Sequence, residues 1–159
     1  MPIEAIKNRQ KQILINDTTG NKTTIFIRAI FPDKLDPPIS REDLEAQINT
    51  DVSGHFENYS YDLTSVTATA TADTYQLAEN TSQYTFNGEG GTNDRTEMIL
   101  EAIALYEAAG SPEGAIGDFD IVGMVFPRLD SWGSAVGLGT VGGAQSSHWL
   151  NGTPSTETI

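Results

Sequence analysis

The sequence has 159 residues, with 22 acidic against 9 basic side chains and a formal charge of -13. Such a surface repels phosphate backbones and anionic lipid, so nucleic-acid and membrane-surface functions rank low. With no cysteine, disulfides, thiol catalysis and cysteine-ligated zinc are excluded, and no apolar run approaches the roughly 18 residues of a membrane span.

The hydrophobic fraction of 38% is spread along the chain and predicts one folded domain over residues 1–159. Met1–Gln10 is mixed polar and lacks the apolar core of a signal peptide. Gln12–Ile15 and Thr23–Phe31 are β-rich, and the turn formers Asn16–Asn21 between them predict a hairpin or two successive strands. Ile25, Ile27, Ala29 and Phe31 share one face of the second run, and Phe26, Arg28 and Ile30 the other. A strand apolar on most of both faces belongs inside a sheet covered on both sides.

A proline-rich loop follows, and then a helix expected from about Arg41 to Phe56, ending near Asn58. Ser40 is its N-cap, Asp43 sits at N3, and Ile39 staples onto Leu44. Leu44, Ile48, Val52 and Phe56 recur every four residues as one apolar stripe. Leu63–Ala72 alternates, with Val66, Ala68, Ala70 and Ala72 facing inward. Thr67, Thr69 and Thr71 lie on a wet face. Tyr84–Phe86 reads as a short strand before a glycine-rich turn.

The second helix runs between a capping box at Asp94 and Glu97 and a stop at Gly110, burying Met98, Ile99, Ala102, Ile103, Tyr106 and Ala109. Phe119–Phe126 is a central buried strand. Ala135–Val141 and Ser147–Leu150 read as two short strands, and Thr153–Ile159 begins a helix, with Thr153 as cap and Pro154 at its first position. Strand–helix–strand–helix–strand alternation implies an α/β domain with a mostly parallel sheet.

Motifs for catalysis are sparse. The two histidines, His55 and His148, are far apart in sequence, so no His-Glu-x-x-His exists. His55 reads as a packed or partly buried structural histidine and His148 as an exposed strand residue. Ser134 follows Gly133 in a loop with no local base, and no Gly-x-Ser-x-Gly elbow occurs. Asp118 and Asp120 read as solvated carboxylates rather than a glycosidase pair. Gly137-x-Gly139-x-x-Gly142 matches a dinucleotide fingerprint in spacing alone, since it neither closes a first strand nor opens a helix.

The run Asp118–Phe126, followed by Trp132–Gly143 and then Ser147-His148-Trp149-Leu150-Asn151-Gly152, resembles the stretch leading into the zinc helix of metzincin-type metallopeptidases, gametolysin-like and reprolysin-like. Thr24–Asp33 resembles the family's first core strand with its Phe-Pro-Asp ending. Phe56–Tyr61 resembles the segment after its first helix. The likeness spans residues 23–152. It implies a twisted, mostly parallel sheet of about five strands with one antiparallel edge strand and two helices. That edge would be Val136, Gly137, Leu138, Gly139, Thr140 and Val141, pairing with the backbone of a peptide or protein substrate. Its glycines would let the substrate approach closely.

The resemblance implies a secreted or cell-surface parent that uses zinc. The histidines and glutamate of the family's zinc helix would begin at or beyond Ile159. The chain is therefore expected to be the upper subdomain of an incomplete catalytic domain, with no catalytic residue, no metal ligand and no zinc of its own. Contact with a missing C-terminal half would follow, and the sheet face awaiting the zinc helix should expose apolar surface. Alternatives are a non-catalytic binding module of an exported surface protein and a self-sufficient small α/β protein.

Overall fold

The computed structural model describes residues 19–86, 93–133, 137–139 and 146–152. The expected segments Gln12–Ile15 and Thr153–Ile159 lie outside them.

The chain is α/β. Its sheet is built on four parallel strands, β1 (Gly20–Ile30), β2 (Thr64–Gln76), β3 (Ile121–Phe126) and β5 (Ser146–Asn151), in the order β2-β1-β3-β5. The three-residue β4 (Gly137–Gly139) pairs antiparallel along the far side of β5. β1 is central, and its last seven residues are all buried. Ile25, Ile27, Ala29 and Phe31 join Val122, Met124, Phe126 and Trp149 in one apolar cluster; Phe26 joins Val125 and Leu150 in another on the opposite face.

Helices cover both faces. On the first lies α3 (Arg95–Ala108), which buries Met98, Ile99, Ala102 and Tyr106. Its capping box is complete. Asp94 accepts from the Thr96 and Glu97 amides at 2.8 and 3.0 Å, and Glu97 Oε2 accepts from the Asp94 amide at 2.8 Å. These bonds satisfy amides that a helix start otherwise leaves unpaired. Gly110, at φ +89°, turns the chain away after the helix.

The second face is covered by one helical run in three pieces: α1 (Arg41–Ala46), a π-helical segment (Gln47–Val52) and α2 (Ser53–Ser60). It ends at Tyr61 and Asp62, both in the left-handed region at φ 56° and 60°. The run's last helical residue is thus Ser60, close to the end expected near Asn58. Leu44, Ile48 and Val52 are buried, but Phe56 is 45% exposed.

Other expectations are corrected. Thr71 is fully buried rather than on a wet face. Across the β1–β2 ladder, Phe26 pairs Ala70 while Arg28 pairs Thr74, so β2 bulges there. The bulge turns the Thr71 hydroxyl inward, where it accepts from the Arg28 amide at 3.0 Å and donates to the Asp73 carbonyl at 2.8 Å. The nearly buried Arg28 guanidinium donates to the carbonyls of Ile39 and Ala72 at 3.3 and 3.1 Å. Those bonds offset its desolvation. Tyr84–Phe86 forms no strand: Tyr84 makes an isolated bridge with Asn93. The apolar face expected to lie open is not found at β3 and β5. Val125 and Leu150 are buried because Ile39, Leu44 and Ile48 pack into their cluster.

Candidate functional site

The sheet has two edges, and they differ. At one, β4 pairs with β5 in the register Gly137 to Leu150, Leu138 to Trp149 and Gly139 to His148. The far side of β4 meets no described strand. Of the edge residues expected from sequence, Gly137, Leu138 and Gly139 lie in β4, while Val136, Thr140 and Val141 fall outside the described residues. β5 is fixed from behind by Trp149, which is 3% exposed and donates its indole N–H to the Arg95 carbonyl at 2.8 Å.

The opposite edge, along β2, is sealed by side chains. Outward-facing amides alternate along a strand. The Val66 amide donates to Ser53 Oγ at 3.1 Å, Ala68 to Asn49 Oδ1 at 2.6 Å, and Ala70 to Glu45 Oε1 at 2.8 Å. Asn49 Nδ2 returns a bond to the Ala68 carbonyl at 3.1 Å, and the Ala72 amide donates to Glu113 Oε1 at 2.7 Å.

The spacing explains the match. Two strand residues advance about 6.6 Å, and four helical residues advance about 6.0 Å. Residues 45, 49 and 53 thus keep pace with amides 70, 68 and 66. In a regular α-helix each four-residue step overshoots a turn by about 40°. The wider π turn rotates less per residue and offsets that drift. A polar row, Glu45-Asn49-Ser53, therefore runs straight beside the apolar row Leu44-Ile48-Val52.

At the carboxyl ends of the parallel strands, where open α/β sheets bind ligands, Asp36, Pro37, Pro38, Pro127, Arg128, Asn151 and Gly152 line a shallow crevice of about 540 Å³. Its polar groups hold loops together. Asn151, 2% exposed, accepts from the Leu129 amide at 2.6 Å and donates to the Leu129 carbonyl at 3.4 Å. Arg128 Nη2 donates to the Gly133 carbonyl at 3.0 Å.

The histidines fall otherwise than expected. His55 is exposed, its ring 4.3 Å from that of Tyr59. His148 is half-buried in β5, and burial pushes its pKa below the ordinary histidine value. It lies between Gly123 and Gly139 across the two ladders. Asp120 does structural work: its Oδ2 accepts from the Thr23 amide at 2.8 Å and the Thr23 hydroxyl at 3.1 Å, tying β3 to β1. Asp118 is exposed, and Ser134 lies outside the described residues.

The sequence holds two histidines and no cysteine, and the described residues contain no cluster of three His, Cys, Asp or Glu side chains able to hold an ion. The polar row Glu45-Asn49-Ser53 was missed in the sequence reading, although its four-residue spacing beside an apolar stripe was visible. In comparisons with known proteins, no family model matches this sequence and no curated protein matches it significantly.

Proposed function

We propose that this chain is the sheet-bearing, non-catalytic part of a metzincin-type zinc endopeptidase domain, exported to the cell surface or medium. In this reading β4 is an antiparallel fifth strand of the sheet and extends over Val136–Val141. Its outer side receives an extended peptide as an added strand. Zinc chemistry belongs to residues other than those present here, so no catalytic step is assigned to this chain.

The asymmetry of the two edges carries the proposal. A receptive edge needs backbone N–H and C=O groups without partners. Along β2 those amides are occupied by Ser53, Asn49, Glu45 and Glu113. Along β4 they face no described strand, and Gly137 and Gly139 offer no side chain to hold a peptide backbone away. The strand order and the antiparallel pairing of Gly137–Gly139 support the resemblance from which the reading starts.

In a second reading, the same edge serves a binding module with no hydrolytic parent. Zinc content and casein cleavage, measured for this chain and for a version extended along its own reading frame, separate the two. Zinc and cleavage in the extended form alone support the first reading. Their absence from both forms hands the lead to the second. Amide exchange at Gly137–Gly139 tests the edge itself: protection by an unstructured peptide is expected, and unchanged exchange at saturating peptide refutes the pairing.

A further inference from the structure

A cavity of about 140 Å³ opens at the amino-terminal end of the sheet, on the face covered by the α1–α2 run. Its walls are mainly apolar: Phe26 from β1, Ile48, Val52 and Phe56 from the helical run, Val66 from β2 and Ile121 from β3. Phe26 fixes the floor. Its ring leans over Gly123, where even a methyl group would come within 2.4 Å of Phe26 Cε1.

Lys22, Thr24, Thr64 and His148 supply its polar lining, and one of them carries a hydroxyl that the fold does not account for. Thr24 is 2% exposed, and its hydroxyl oxygen has no hydrogen-bond partner among the described residues. A buried hydroxyl without a partner is costly and rare. The neighbouring β1 threonine on the other sheet face, Thr23, spends its hydroxyl on Asp120. His148 lines the same cavity from β5. Burial lowers its pKa, so at neutral pH it presents an uncharged imidazole with one donor and one acceptor nitrogen.

We propose that this cavity binds a small neutral amphiphile of phenol size, whose apolar body fills the space between Phe26, Val52 and Ile121 and whose hydroxyl pairs with Thr24. The volume sets the size, since an apolar cavity of about 150 Å³ admits a benzene ring. The lining sets the charge: its mainly apolar walls would penalise an ionised ligand, and Lys22, the charged residue on it, already has an interaction partner. The single buried hydroxyl sets the polarity of one end. The site is separate from the peptide-receiving edge proposed above and does not depend on it.

The test is a titration of the chain with phenol and, in parallel, with benzene, followed by NMR on the Thr24 methyl and His148 imidazole signals. Saturable shifts with phenol, and weaker binding of benzene, are expected. Thr24→Val keeps the shape and removes the hydroxyl, so it should weaken phenol about tenfold and leave benzene unchanged. Thr24→Ser retains the hydroxyl and should keep the preference for phenol. Failure of both probes to shift these signals saturably overturns the proposal, as does a phenol preference that survives Thr24→Val. A variant that shifts its unfolding midpoint without changing the ratio of phenol to benzene affinity would show that Thr24 acts on the fold alone, which also overturns it.

Discussion

Replacing the row that seals β2 should separate two quantities that usually move together, stability and association. Ser53 is 5% exposed, and Ser53→Ala leaves the Val66 amide, on a residue 9% exposed, without an acceptor. An orphaned buried donor costs about 1–3 kcal/mol, while alanine returns about 0.5 kcal/mol of helix propensity. A net loss of about 0.5–2.5 kcal/mol is expected, read as a lower urea midpoint with an unchanged slope. Asn49 is exposed, so water can reach the groups that Asn49→Ala frees. Its loss of about 0.5–1.5 kcal/mol is largely offset by a propensity gain of about 0.7 kcal/mol. Asn49→Ala should therefore be nearly neutral in dilute urea titrations. It nonetheless uncovers the N–H and C=O of Ala68, so sedimentation at rising concentration should show new self-association, strongest in the Glu45→Ala, Asn49→Ala, Ser53→Ala triple variant. A triple variant that stays monomeric, or a Ser53→Ala as harmless as an average surface change, would refute the view that this row guards the edge.

Two other outcomes follow from the packing and burial. Gly123→Ala should destabilise by about 1–3 kcal/mol by thermal or urea unfolding, because the new methyl meets the Phe26 ring within a buried parallel ladder; Phe26→Leu in the same chain should recover part of the loss. His148 has a folded-state pKa depressed by burial, so below its unfolded value of about 6.5 the unfolded chain binds the proton more readily. Its contribution thus makes stability fall as pH drops through and below about 6.5 and leaves it flat above. His148→Gln should remove that part of the slope in urea titrations between pH 5 and 7, and an unchanged slope would count against burial as the cause.

Much of the architecture was legible because local signals agreed with each other. β1 read as a doubly covered strand since both of its faces are apolar, and it lies at the centre of the parallel strands. Asp94, Glu97 and Gly110 bounded α3 because capping chemistry acts within one turn. What was not legible depends on partners distant in sequence. Thr71 looked solvent-facing from alternation, but a bulge against Arg28 turns it inward. His55 looked packed because it neighbours an apolar stripe, yet the helical run leaves it exposed beside Tyr59. His148 looked exposed, and its burial arises from the cavity walls supplied by β1, β2 and the helical run. Thr24 carried no local signal at all: a threonine in a strand is ordinary until its hydroxyl proves to be enclosed and unpaired.

The helical rail along β2 also sets a limit on stoichiometry. A sheet that can add strands at both ends behaves as a bifunctional monomer, and repeated addition gives fibres. With Glu45, Asn49, Ser53 and Glu113 holding one margin, this sheet is monofunctional at most. If β4 takes up a strand as proposed, that addition would exhaust its capacity, growth by edge pairing would end after it, and a second copy of the chain pairing there would close a dimer rather than start a filament.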